Sequence, residues 1–245
     1  MMTVNSAPMA ERLSRAAWSR MLWWRFQLFH RHRHDRLVLE EVAGRPIVVL
    51  PQVINPKLFE AGEFLAESLE GRLANGSAVL DMGTGAGLSA VVAAREAARV
   101  VAVDINPVAV RCARINVLLN GVEARVDIRE GDLFEPVRGE RFDLVLFNPP
   151  YLAGTPRGLL DRAFRGGDVI ERFARDLADH LTPEGAALVV LSTEANTTSA
   201  LDAFRSRGFS VAAVCTRDLK SEVLTVYQIG PDAPAARGHL QRPVR

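Results

Sequence analysis

The sequence predicts an α/β fold: a doubly wound, mostly parallel sheet of seven strands that ends in an antiparallel hairpin. Three observations lead there. Short strands that are apolar throughout alternate with helical stretches between residues 78 and 191, and strands apolar on both faces belong to parallel sheets covered by helices. The last two strands are joined by a short polar loop, too short for a crossover, so they pair antiparallel. The chain has 245 residues, 48% hydrophobic and 24% charged, an ordinary globular composition with material for a sizeable core. That composition excludes a disordered chain and a collagen-like repeat. No stretch reaches the ~18 apolar residues of a membrane span. Met21-Leu22-Trp23-Trp24 is cut off by Arg20 and Arg25, which also spoils a secretory leader.

The first element is basic. Residues 1–36 hold seven arginines against Glu11 and Asp35, a net of +5 that leaves −4 for the remainder of a chain at +1. All three tryptophans, Trp18, Trp23 and Trp24, lie in it with Phe26 and Phe29. Leu13, Ala17, Met21, Trp24 and Leu28 recur at three- and four-residue steps, the pattern of an amphipathic helix. Two readings stand: a helical arm packed on the main domain with snorkelling arginines, or a surface that meets RNA, the ribosome or anionic lipid. An organelle transit peptide is a third. His30-Arg31-His32-Arg33-His34 alternates imidazoles with arginines that would repel a dication, and no acidic or cysteine cluster completes a ligand set, so no metal is expected.

Residues 37–50 read as two strands around an Ala-Gly turn. Pro51 and Pro56 bracket a loop, residues 58–73 read as a helix, and Ala74-Asn75-Gly76 as a turn. Strands follow at 78–80, 100–103, 126–129, 142–147 and 187–191, with helices at 88–98, 107–120 and 168–181 between most of them. Residues 211–215 and 223–229 form the closing hairpin, and the Pro- and Arg-rich tail from 231 frays. The expected division is an arm plus hairpin (1–50), a catalytic domain (51–230) and a tail (231–245). Cys112 and Cys215 sit in apolar surroundings without a pattern, which suits a reducing cytosol and a cytoplasmic protein.

Asp81-Met82-Gly83-Thr84-Gly85-Ala86-Gly87 follows a strand and opens a helix. Gly83, Gly85 and Gly87 let the backbone bend tightly and approach a ligand. An NAD fingerprint wants its third glycine where Leu88 stands, so the spacing favours a different adenosine ligand. Asp81 suits a ligand with a cationic amino-acid part. Asp104, 17 residues beyond Gly87 at the end of the next strand, can accept from both ribose hydroxyls. Asp132, after the third strand, can accept from an adenine amino group. The set resembles the class I S-adenosylmethionine-dependent methyltransferases, whose seven-stranded Rossmann-like sheet and cofactor, S-adenosyl-L-methionine, it implies.

Phe142–Phe147 runs straight into Asn148-Pro149-Pro150-Tyr151. Two prolines fix the backbone where it turns and leave the loop presenting carbonyls. Asn148 adds a side-chain acceptor and Tyr151 a flat ring, the parts needed to grip a planar –NH2 group. Asn148, Pro149 and Tyr151 are thus the candidate catalytic residues; Asn148 also counts with Asp81, Gly83, Gly85, Gly87, Asp104 and Asp132 as cofactor-binding. The motif is similar to that of amino-group methyltransferases acting on glutamine side chains, adenine in DNA or guanine in ribosomal RNA. With Phe164-Arg165-Gly166-Gly167, Val169-Ile170-Glu171-Arg172-Phe173 and Ser221–Val226 it resembles the release factor glutamine methyltransferases, the HemK family, and within it the eukaryotic and archaeal branch. The resemblance implies that Asn148 and Pro149 bind a glutamine amide of a translation release factor. An RNA or ribosome contact through the arm fits the same setting. That branch carries an acidic-Thr step in its entry segment; here Glu60 and Glu63 stand nearby without matching it. The alternatives are a nucleic-acid amino methyltransferase, a small-molecule N-methyltransferase and a non-catalytic binding module.

Overall fold

A computed structural model describes residues 36–74, 76–150, 158–193, 195–219 and 222–231. The basic arm, the histidine run, Tyr151 and the C-terminal tail lie outside the described residues.

Strands β1 (Val38–Val42) and β2 (Arg45–Val49) form the expected hairpin. Its two turn residues, Ala43 and Gly44, have φ of 48° and 66°, the left-handed pair of a turn whose twist matches the strands. The large sheet follows: β3 (Ala78–Met82), β4 (Arg99–Asp104), β5 (Val126–Glu130), β6 (Phe142–Phe147), β7 (Leu181–Ser192), β8 (Phe209–Asp218) and β9 (Val223–Pro231). Between them run α1 (Glu60–Glu67, before β3), α2 (Leu88–Ala93), α3 (Pro107–Leu119), α4 (Leu159–Arg162), α5 (Val169–His180) and α6 (Thr197–Arg205).

The order across the sheet is β5-β4-β3-β6-β7-β9-β8. The strands β5 to β7 are parallel, and β9 is antiparallel to both β7 and β8. Strand order reverses between β3 and β6. In an open α/β sheet that reversal leaves a crevice at the carboxyl ends, because the crossovers on either side lead away from it.

Alternate positions of the central strands face opposite layers. Val79, Ala102, Leu146 and Leu188 pack with Phe64 and Leu65 of α1, Val91 of α2 and Val110 and Val117 of α3. Leu80, Met82, Val101, Val145 and Val189 pack with Phe173 and Leu177 of α5 and Leu201 and Phe204 of α6. Both faces are therefore dry, as the apolar runs require.

The hairpin is not an appendage. Val42, Ile47 and Val49 share a core with Ala86, Leu88, Ala109 and Cys112. Asn116 of α3, fully buried, accepts from the Val48 N–H at 2.7 Å and donates to the Val48 carbonyl at 2.7 Å and the Ala86 carbonyl at 2.8 Å. One side chain thus ties the hairpin to the loop that ends β3.

Several elements depart from the sequence expectation. The helix expected over 58–73 stops at Glu67: Ser68 Oγ donates back to the Leu65 carbonyl at 2.6 Å, and Arg72 Nε takes the Ser68 carbonyl at 2.6 Å. The helix expected over 88–98 stops at Ala93, and Arg125 Nη1 then caps the carbonyls of Ala94 and Arg95. Helix α6 was not expected; Asn196 caps it by accepting from the Ser199 N–H at 3.3 Å. Strand β7 begins at Leu181 rather than 187, because Phe142 pairs with Leu181 and Leu144 with Ala186, a bulge that absorbs Thr182-Pro183-Glu184-Gly185.

Asn116→Ala should destabilise the protein by about 2–4 kcal/mol, since the Val48 N–H and the Ala86 carbonyl lose their partner in a dry interior. Urea unfolding measures it as a lower midpoint at an unchanged slope.

Candidate active site

The site is built at the carboxyl ends of β3, β4, β5 and β6, around a cavity of about 550 Å³. Strand β3 is apolar until Asp81, which is 3% exposed. Its Oδ2 accepts from Thr84 Oγ1 at 2.6 Å and from the Ala90 N–H, inside α2, at 3.1 Å. The carboxylate therefore bends the glycine loop back over the strand and fixes the start of α2. Gly83 and Gly85 line the cavity at φ of 67° and 56°, and a Cβ on Gly85 would meet no atom nearer than 4.0 Å. Backbone there faces open cavity space. Gly87 does a different job. It does not line the cavity; at φ 85° a Cβ would press on Ala113 of α3 at 3.0 Å, so this glycine serves helix packing.

Asp104 lines the cavity at the end of β4. Its Oδ2 accepts from the Gly85 N–H at 2.8 Å and its Oδ1 from the Asn106 N–H at 2.8 Å. The Ile105 N–H adds a third bond to the carboxylate, which still keeps acceptor capacity for a ligand hydroxyl. Asp132 lines the same cavity after β5 and pairs with Arg172 of α5 at 2.5 Å. Across the switch point, Phe147 and Asn148 close the far side. Asn148 Nδ2 lies 4.0 Å from where a Cβ on Gly62 would sit. Pro149 is buried and does not line the cavity, whereas Pro150 does. A Cβ on Gly166 would collide with Pro150 Cγ at 2.5 Å, so the segment leading into α5 lies flat on the proline loop.

The structure thus brings Asp81, Gly83, Gly85, Asp104, Asp132 and Asn148 to one cavity, leaves Gly87 and Pro149 behind it, and leaves Tyr151 outside the described residues. Glu60 and Glu63 do not line it; Glu63 Oε1 accepts from the Ala43 N–H of the hairpin at 3.1 Å. Several lining residues were given no role in the site by the sequence. Gln52 and Leu133 hold φ of 67° and 48°, unusual for side chains with a Cβ. Arg162, Arg165 and Arg172 line the α4–α5 side, and Phe59 meets Phe164 edge to face at 5.1 Å. Among the described residues no group of histidines, cysteines and acids could hold a metal ion, and no helix is long and apolar enough to cross a membrane.

The model of the methyltransferase small domain family matches residues 53–220. The chain belongs to this family. It is 36% identical over 142 residues to a Methanocaldococcus jannaschii protein named for protein N5-glutamine methylation, covering 54% of this chain and 71% of that one. It is 34% identical over 167 residues to the release factor glutamine methyltransferase of Geobacter sulfurreducens, covering 62% of this chain but 57% of that one. A solved Mtq2–Trm112 complex from E. cuniculi, described as responsible for methylating the termination factor eRF1, superposes with a TM-score of 0.59 at 22% identity, over 74% of this chain and 99% of that one. The fold is the Rossmann-like methyltransferase fold, down to the antiparallel pair at the end of the sheet.

Methyltransferases of this class use S-adenosylmethionine, and the cavity fits its charge. Burial pushes the Asp81 carboxyl up to about 6, with the charge of Asp104 adding to the effect, and Asp104 is itself raised by burial. Two desolvated acids facing one cavity are relieved by a cation.

The apo protein should lose stability as pH rises from about 4 to 6. In that window folded Asp81 still holds a proton that the unfolded chain has released, so the folded state binds more protons and is weakened by raising the pH. The loss from Asp81 approaches about 3 kcal/mol for a shift from 3.8 to about 6. Urea unfolding of the wild type and Asp81→Asn across this range tests it, and the substitution should flatten the dependence.

Proposed function

We propose that this protein transfers the methyl group of S-adenosylmethionine to the side-chain amide nitrogen of a glutamine in a protein of the translation apparatus, with a release factor as the leading candidate. One observation carries the reading: Asn148, from the Asn-Pro-Pro turn, lines the same cavity as the glycine loop and its acids. The cofactor, when bound, supplies an electrophilic methyl. Asp81 faces its cationic amino-acid part, Asp104 its ribose, Asp132 its adenine, and Gly83 and Gly85 let the backbone lie against it.

An amide nitrogen is a poor nucleophile because its lone pair is delocalised. Asn148 Oδ1 accepts one amide hydrogen and a backbone carbonyl of the proline loop accepts the other; Pro149, set behind the cavity, holds that loop in place. The two bonds fix the amide plane, raise electron density on nitrogen and turn its lone pair toward the cavity. As the N–CH3 bond forms, the methyl–sulfur bond breaks with its electron pair left on sulfur as S-adenosylhomocysteine, and one N–H proton is lost to solvent, so no strong general base is needed. Tyr151 supplies the flat face against which the amide lies. Residues 51–230 are the catalytic unit in this reading. The arm within 1–50 is the segment that reaches a large anionic partner such as the ribosome, and 231–245 is a tail. The cytoplasm is the corresponding setting.

A second reading, methylation of an amino group on an RNA base, draws on the arginines that line the α4–α5 side of the cavity and on the arm's net +5. The Thermus thermophilus 16S rRNA N2 G1207 methyltransferase bound to AdoMet and guanosine superposes with a TM-score of 0.60 at 23% identity, over 80% of this chain and half of that one. The protein reading is favoured because a glutamine on a flexible loop enters such a cavity without the unstacking cost of a flipped base.

Asn148→Ala should lower methyl transfer by about 10²-fold or more while leaving most of the cofactor affinity, because it removes one oriented polar group in a water-poor site. Mass spectrometry after incubation with labelled cofactor and cell lysate should find N5-methylglutamine. Label confined to RNA bases would replace the protein reading with the second one.

A further inference from the structure

Asp132 and Arg172 are 40 residues apart in sequence and share the cavity wall, joined at 2.5 Å between Asp132 Oδ2 and Arg172 Nη2. Their side chains are 30% and 31% exposed. A carboxylate that open, on a loop, would normally swing toward water; here the guanidinium holds it by one oxygen. Oδ1 takes no hydrogen bond from any described residue. Both partners are anchored through the residues next to them. Phe173, which follows Arg172, is fully buried and stacks on Phe134 at 5.1 Å and on Phe147 at 4.3 Å. Phe134, two residues after Asp132, also stacks on His180 at the far end of α5, with ring centroids 4.3 Å apart. Between Asp132 and Phe134, Leu133 takes the left-handed φ of 48°. The loop after β5 and helix α5 are thereby locked as one unit, with the ion pair on its cavity side.

We propose that Arg172 is the positioning residue that makes this site selective for adenine: it holds Asp132 by one oxygen so that the other accepts a hydrogen of the ligand's exocyclic amino group. The inference rests on the reading of the cavity as an S-adenosylmethionine site, and concerns base selectivity rather than the methyl transfer. A carboxylate only accepts hydrogen bonds, so it discriminates an amino group, which donates, from a carbonyl in the same place. The discrimination holds only while the carboxylate is kept from turning away. Arg172 suits this task because its guanidinium is a rigid plane with directed N–H donors, one of which meets Oδ2, whereas a lysine ammonium would act as a point charge.

The test compares binding of S-adenosylhomocysteine and S-inosylhomocysteine by calorimetry on the full-length chain; the second replaces the amino donor with a carbonyl acceptor. The wild type should prefer the adenine form by about tenfold to a hundredfold, the scale of one hydrogen bond to a charged group. R172Q should bring that preference to about threefold or below by weakening the adenine form, with the inosine form changed by less than about twofold. R172K should fall between the two, since the charge remains without the directed guanidinium donor. An unchanged preference in folded R172Q, or a parallel loss for both ligands, would overturn the proposal and leave Arg172 a structural residue. If R172Q does not fold, R172K decides alone: a preference at the wild-type level overturns the proposal. Wild-type protein that binds both ligands equally overturns this inference and spares the cofactor reading, whereas binding of neither removes both.

Discussion

Asp81 stands at the end of the central strand with 3% of its surface exposed, its Oδ2 shared between the Thr84 hydroxyl and the Ala90 N–H. Burying a carboxylate is costly unless its hydrogen bonds are made, so this residue dictates the geometry around it. Thr84 must turn back, α2 must begin where Ala90 can reach, and the glycines between them must take left-handed conformations. The remaining imbalance is electrostatic: two acids at adjacent strand ends are left facing a space that suits a cation.

The loop so fixed is braced from behind. Asn116 joins the hairpin and the Ala86 carbonyl to α3, and Gly87 lets α2 approach Ala113. A hairpin ahead of the family's matched region is thus part of the support of the glycine loop, and its inward face is as dry as the central sheet. The opposite wall is braced by aromatic rings. Phe134, Phe173 and Phe147 stack in a row from the loop after β5, through α5, to the residue just before Asn148. The Asp132 side and the Asn148 side of the cavity are therefore two ends of one packed column, and α5 also lays Gly166 on Pro150.

Motifs that depend on local chemistry were legible before the structure. The hairpin, the parallel strands and the closing antiparallel pair follow from apolar runs and connection lengths. Asp81, Gly83, Gly85, Asp104, Asp132 and Asn148 were singled out because each sits at a strand end, and strand ends of a parallel sheet converge. What misled was also local. Residues 58–73 and 88–98 carry helical composition throughout, yet their helices stop where Ser68 bonds back on the chain and where Arg125 arrives from 30 residues away. Gly87 looked like its neighbours in the motif, and only the proximity of Ala113 shows that it faces a helix rather than the cavity.

By itself the sequence determined the class of fold and the acids, glycines and Asn-Pro-Pro turn that meet at one crevice, because periodicity and turn chemistry act over a few residues. The tertiary structure alone decided how those parts are held. The pairings Asp132–Arg172, Asn116–Val48 and Phe147–Phe173 join residues 26 to 68 apart, and no local pattern encodes which distant side chain will fill a given space. Side-chain packing is settled only when both layers close on the sheet. It is at that point that a buried acid finds its donors and an exposed one its arginine.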